Sequence, residues 1–162
     1  MKVLLLNGSP RKNGCTYTAL NVVADALKAE GIDAEVFQAG DPDMENVKAA
    51  AAKLKESDAL VVGSPVYWAS PSGQIIEFMD RLASVAGKDM LYKPAAAVAS
   101  ARRAGTTATL DVLTKYFSYH QMPVVSSCYW NMVHGNTPEE VMKDEEGVQI
   151  MRVLGKNMAW LG

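Results

Sequence analysis

Residues 3–18 read VLLLNGSPRKNGCTYT, and the fold is decided by how this stretch is parsed. Val3 to Leu6 is an apolar run with the length and branched-aliphatic character of a parallel strand buried on both faces. Asn7-Gly8-Ser9-Pro10 is a cluster of turn residues that must end it. Past Arg11-Lys12 and Asn13-Gly14 a helical pattern begins at Cys15, with Leu20, Val23, Ala24 and Leu27 on one face. Strand, glycine-bearing polar loop and helix follow in that order. Backbone N–H groups and the positive end of a helix dipole then converge above the carboxyl end of the strand.

The hydroxyls of Ser9, Thr16 and Thr18 and the Arg11 cation add donors at the same point, which suits a phosphate. Glycine spacing excludes two familiar phosphate loops. Five residues separate Gly8 from Gly14 and no Lys follows Gly14, so there is no Walker A motif. The G-x-G-x-x-G of dinucleotide-binding sheets is also missing. The residue six places after Cys15 is Asn21, not the Arg that a tyrosine-phosphatase loop needs. A loop of hydroxyl and amide donors fits a terminal phosphate monoester, which carries roughly −1.5 to −2 charge near neutral pH. On these residues alone, an ordinary strand–helix turn with no guest stays open.

At 162 residues, the chain is expected to form a single domain over 1–162 that buries about two-thirds of its unfolded surface. Sixteen basic against eighteen acidic residues leave a net charge of −2. That excludes both a basic footprint for nucleic acid and a strong acidic steering field. No apolar run approaches the roughly 18 residues of a membrane span, and the run before Asn7 is too short for a signal-peptide core. Cys15 and Cys128 stand too far apart for a disulfide framework or a four-cysteine metal site. The expectation is a cytoplasmic protein with no structural metal, no membrane association and no nucleic-acid partner.

Further along, Gly31 reads as the stop of the first helix and Ala34–Phe37 as a second strand. Asp41-Pro42 reads as an N-cap with Pro at the first helical position, and Ser57-Asp58 as the end of that helix. Ala59–Val62 is a third strand, halted at Gly63-Ser64-Pro65, and a helix through Ile75, Ile76, Met79 and Leu82 follows. Pro94–Ser100 is a fourth strand of small residues, Leu110, Leu113 and Phe117 mark a helix, and Met122–Val125 is a short fifth strand. Ser126–Asn136 reads as a loop. Thr137, Pro138 and Glu140 form a capping box that opens a last helix to about Met158. Five strands alternating with five helices specify an α/β parallel sheet covered on both faces. Ligands of such sheets bind beyond the carboxyl ends of the strands, where the loops after strands one, three and four converge.

Two of those loops carry unusual chemistry. Ser64-Pro65-Val66-Tyr67-Trp68 sets two large rings beside restricted backbone, which suits a planar ligand packed against a ring; for Trp68 taken alone, capping the core is the favoured alternative. Ser100 to Thr106 brings Arg102 and Arg103 with Gly105, cations that can stabilise charge on a reduced heterocycle. A solvated surface pair is the competing reading of the two arginines.

GSPRKNGCT, SPVYW with the following SPSGQIIEFMDR, and SARRAGTT together resemble the flavodoxin-fold NAD(P)H-dependent FMN reductase family. The likeness is to its iron-sulfur flavoprotein and multimeric-flavodoxin branch, and it covers essentially the whole chain. The resemblance implies a flavodoxin-like three-layer sandwich, with a five-stranded parallel sheet of order 2-1-3-4-5. It also implies FMN held noncovalently at a subunit interface of a homodimer or homotetramer, with NAD(P)H as co-substrate. Carried over by position, Ser9, Arg11, Gly14, Cys15 and Thr16 would hold the FMN phosphate. Pro65, Val66, Tyr67 and Trp68 would line the ribityl chain and isoalloxazine, and Ser100, Arg102, Arg103 and Gly105 would flank the polar edge of the ring. No protein acid or base is implied, because the flavin carries the chemistry.

Two departures from the family pattern stand out. Where the family loop reads Gly-Asn-Thr, this chain has Gly14-Cys15-Thr16, so a thiol replaces an amide donor and weaker FMN binding is expected. Residues 39–57 contain no cysteine, so the cluster of the iron-sulfur members is not expected. His120 and His134 lack metal-ligand spacing, and Asp80-Arg81 resembles a structural charge pair at a helix end. Tyr129-Trp130-Asn131 has two readings, reaching a neighbouring subunit's flavin or closing its own core. The functional expectation is hydride transfer from NAD(P)H through FMN to a small quinone, flavin or nitroaromatic. The alternative is a flavodoxin-type electron carrier.

Overall fold

The computed structural model describes residues 1–162, the whole sequence. Five parallel strands form the sheet: β1 (Lys2–Asn7), β2 (Asp33–Gln38), β3 (Ala59–Tyr67), β5 (Ala95–Ala101) and β6 (Met132–His134). Their spatial order is β2-β1-β3-β5-β6, the expected 2-1-3-4-5 arrangement counted over parallel strands. A two-residue strand, β4 (Ser70–Pro71), pairs antiparallel with the end of β3.

Strand periodicity divides the core into two layers. Val3 and Leu5 of β1, with Val61 of β3, face α1 (Cys15–Ala29), α5 (Pro138–Lys143) and α6 (Glu145–Leu161). Leu4, Leu6, Leu60 and Val62 face α2 (Met44–Lys55), α3 (Gly73–Ala86) and α4 (Thr106–Tyr119). Each layer gathers 21 buried apolar residues, so neither sheet face is left bare. That is why the strands read as continuous apolar runs.

The first helix ends as its glycine predicts. Gly31 has φ +78, its N–H reaches the Lys28 carbonyl at 2.9 Å, and the Ile32 N–H reaches Leu27 at 3.1 Å. The other boundaries moved for identifiable reasons. Helix α2 is capped by Asp43, which accepts from Glu45 N–H, while Asp41 accepts from Asp43 N–H two residues earlier. The expected Asp41-Pro42 cap is thus two residues early.

Strand β3 runs through Gly63-Ser64-Pro65 instead of stopping there. β1 ends opposite Gly63, so Pro65 lies where that edge of β3 no longer has a partner to donate to. The expected fifth strand at Met122–Val125 is a single bridge, Val124 to Ala95. The chain then loops out and rejoins the sheet as β6, inside the segment read as loop. The Asn131 side chain bridges the gap by donating to the Ala97 carbonyl at 3.0 Å.

The capping box at Thr137 forms, with Glu140 N–H on the Thr137 hydroxyl, and the Glu140 carboxylate reaches back to Asn136 N–H. The helix it opens is broken at Asp144, whose carboxylate caps α6 through Gly147 N–H. Asp80 and Arg81 lie within α3 rather than at its end and do not pair with each other: Tyr116 donates to Asp80, and Arg81 bonds Glu77 and the Pro42 carbonyl.

Candidate functional site

The turn after β1 is clamped from below. Gly8 N–H donates to the Gly63 carbonyl at 2.8 Å, and the Ser72 hydroxyl donates to the Gly8 carbonyl at 2.7 Å. A Cβ on Gly8 would stand 2.6 Å from that Gly63 oxygen and from Ile75, so only glycine fits. Under the loop lies the buried Asn7 side chain. Its amide nitrogen donates to Gln38 Oε1 at 2.8 Å and to the Lys12 carbonyl at 3.2 Å, and its oxygen accepts from Ser9 N–H at 3.1 Å. Gln38 in turn donates to the Ser9 carbonyl at 2.7 Å. Neither Asn7 nor Gln38 stands out in the sequence as more than a turn residue and a strand end. Their role becomes visible only when β2 is placed beside β1.

The clamp leaves the upper side of the loop unsatisfied. From Lys12 to Tyr17, no backbone N–H has an acceptor in the protein. The N-cap of α1, Gly14, supplies no side-chain oxygen. By contrast α2, α3, α5 and α6 are capped by Asp43, Ser72, Thr137 and Asp144. The other helix without a side-chain cap is α4, whose N-cap is Gly105 at φ +98. Both open N-termini follow the carboxyl ends of strands, one on each side of β3. Six free donors beside a helix N-terminus fit the phosphate of a nucleotide.

These amides border a cleft of about 210 Å³ that Ser9, Arg11, Cys15, Thr16, Pro65, Val66, Tyr67, Ser100 and Arg102 help to line. Nine of the thirteen residues read from the sequence therefore meet there. On its floor the Thr16 and Ser100 hydroxyls bond each other at 2.7 Å, tying α1 to β5. The Arg11 side chain makes no ion pair or hydrogen bond. Cys15 also lines the cleft, its thiol donating to the Gly135 carbonyl at 3.6 Å. Burial pushes that thiol above its ordinary pKa; Arg11 opposes this, and Glu140 and Glu139 add to it.

Gly14, Trp68, Arg103 and Gly105 are not among the cleft walls. Gly14 is the N-cap of α1, packed against the Arg11 stem. Gly105 is packed edge-on to the strand β3 turn, where a Cβ would meet Ala69 Cα and Val66 Cγ1 at 2.8 Å. Trp68 is 99% exposed, which overturns the reading that it caps the core. Trp68 and Ala69 both have positive φ, 54 and 57, and form the two-residue turn from β3 to β4. No Asn-Gly or Gly-X signature announces this hairpin. Tyr129 and Trp130 are 51% and 59% exposed and do not close the core either. Gly135 and Asn136, read as plain loop, complete the cleft.

A doubly covered sheet of order 2-1-3-4-5, with a loop of unpartnered amides after its first strand, is the arrangement of the flavodoxin-like class. A WrbA-like flavodoxin from Agrobacterium tumefaciens superposes with a TM-score of 0.76 at 18% identity, covering 99% of this chain and 95% of that one. Residues 1–137 match the family described as NADPH-dependent FMN reductase, and the chain belongs to that family. It is accordingly an oxidoreductase that uses FMN and a reduced nicotinamide. An iron-sulfur flavoprotein of Methanocaldococcus jannaschii is 29% identical over 98% of this chain and 96% of its own length. An NADPH azoreductase of a Bacillus species is 30% identical over 62% of this chain and 59% of its own. No helix is long and apolar enough to cross a membrane.

Proposed function

We propose that this chain reduces a small organic acceptor, a quinone, free flavin or nitroaromatic, at the expense of NAD(P)H, with FMN seated in the cleft above β1, β3 and β5. FMN, when bound, supplies the hydride chemistry. The protein's part is to bind, orient and exclude. The amides of Lys12 to Tyr17, with Arg11 and the Ser9 hydroxyl, hold the phosphate. Pro65, Val66 and Tyr67 form one wall for the ring and Ser100 with Arg102 the other. Trp68 and Arg103, beyond the cleft walls, would cover the outer part of the ring, Gly14 would serve the phosphate as the N-cap of α1, and Gly105 would let the loop after β5 pack close to the β3 turn. One open ring face would then serve donor and acceptor in turn. The observation that carries this reading is the run of six partnerless amides under an uncapped helix end.

Two cysteines cannot supply the four thiolates of an iron-sulfur cluster within the chain, so we infer a flavin-only enzyme despite its iron-sulfur relative. A cytoplasmic homo-oligomer, folded as one domain per chain, belongs to the same proposal. The test is direct. Purified protein should be yellow or take up FMN, and anaerobic NADPH or NADH should bleach it within seconds. A bound flavin that stays oxidised with both donors would refute the reductase reading and leave the electron carrier. In the Arg11→Ala/Thr16→Ala double variant FMN should bind at least tenfold more weakly. Unchanged affinity would move the phosphate elsewhere.

A further inference from the structure

Beside the flavin cleft lies a second one, of about 480 Å³ and without a single hydrophobic wall. The two share Arg102, Gly135 and Asn136, so they adjoin. The charges of this second cleft are unevenly occupied. The Glu140 carboxylate accepts from Asn136 N–H at 2.6 Å. That of Asp144 accepts from His134 N–H at 2.8 Å and from Gly147 N–H at 3.0 Å, and faces the His134 ring at 3.9 Å. The other ring nitrogen of His134 is bonded to the Arg103 carbonyl at 3.1 Å. Asp144 and the histidine are thus engaged by the protein itself, and Glu140 through one of its two oxygens. Arg102, Lys143 and the Asn136 carboxamide have no side-chain partner. Two free cations and an amide therefore face one solvent-open cleft that no hydrophobic residue lines, beside two carboxylates already held by backbone N–H groups.

We propose that this cleft, between Arg102 and Lys143, receives the 2′-phosphate of NADPH, and that Lys143 is the residue that makes the enzyme prefer NADPH to NADH. The inference rests on the flavin site proposed above, because a nicotinamide over that ring must lead its remaining nucleotide out along the adjoining surface. A ribose 2′-hydroxyl would want a free carboxylate there, whereas a 2′-phosphate wants free cations. The charged side chains without any protein partner there are the cations.

The experiment is calorimetric titration of the FMN-loaded full chain with 2′,5′-ADP and with 5′-AMP. The 2′,5′-ADP should bind at least tenfold more tightly, and Lys143→Ala should cut that preference roughly tenfold. Lys115→Ala, which removes the same charge on α4, should leave the preference intact, and Lys143→Arg should retain most of it. Equal binding of the two probes by the unaltered protein would overturn the proposal. So would a Lys143→Ala variant that loses both probes by the same factor. Flavin colour and its bleaching by NADH, read on the same samples, separate the two levels: a yellow, reducible protein without the preference loses the subsite alone, whereas a protein that takes up no FMN loses both.

Discussion

The Asn7 carboxamide is used in full, by Ser9 N–H, the Lys12 carbonyl and Gln38, and the side chain itself is buried. Asn7→Ala should therefore cost about 2–3 kcal/mol, measured by urea unfolding, because it orphans several polar groups at once. It should weaken FMN by more than tenfold although Asn7 does not line the cleft. A stable variant with unchanged affinity would show that the loop holds its shape without this support. Cys15 carries a second residue-level expectation. A thiol whose pKa is raised stays protonated through neutral pH, and its thiolate appears only above the ordinary thiol range. Iodoacetamide at pH 7.5 should label the exposed Cys128 well before Cys15, and Cys15 labelling should accelerate only above the ordinary thiol range. Mass spectrometry of partial digests reads both rates, and fast labelling of Cys15 at neutral pH would contradict the buried thiol.

The element that departs furthest from local preference is the β3–β4 turn. Two non-glycine residues in left-handed backbone cost roughly 1–2 kcal/mol each, and one of them leaves a whole indole in solvent. Such strain persists where surroundings over-determine it, and here Gly105 of the facing loop presses against Ala69. Replacing Trp68-Ala69 by Asn-Gly should raise stability by about 1 kcal/mol, after the entropy that glycine adds to the unfolded chain. Turnover with NADPH should fall, since the exposed ring is lost. A gain in both would remove Trp68 from the working surface. The turn was illegible in the sequence for the same reason that it is strained: its residues contradict the turn they make. The split of the last strand was hidden differently. Met122–Val125 has the right composition for a strand but makes a single bridge, and the Ala97 carbonyl beyond it is taken by the Asn131 side chain, which sequence periodicity cannot register.

At the scale of the whole molecule, the sheet order follows from Val3–Leu6, Ala59–Val62 and the small residues of β5, because each reads as a strand covered on both faces. The loops that line the cleft were legible for the same reason: the carboxyl ends of β1, β3 and β5 lie side by side, so loops far apart in sequence are forced together. What remained unreadable is the support underneath, Asn7 and Gln38, and the wall contributed by Gly135 and Asn136, which exists only because β6 returns to the sheet beside β5. A site assembled from four separate segments couples ligand binding to global stability. With FMN at about a hundred times its dissociation constant, unfolding should cost about 2.7 kcal/mol more, a rise of roughly 5–10 °C in Tm for a chain of this length. Riboflavin, which has the ring but not the phosphate, isolates the contribution of the loop after β1. If the free amides of Lys12 to Tyr17 and the unpaired Arg11 carry the recognition, riboflavin at the same concentration should raise Tm by only a small fraction of that amount. The FMN shift should also shrink as salt rises from about 0.05 to 0.5 M, because the solvent-facing Arg11–phosphate attraction is screened. Equal shifts for FMN and riboflavin, measured by calorimetry on the apoprotein, would mean that the ring is held without the loop.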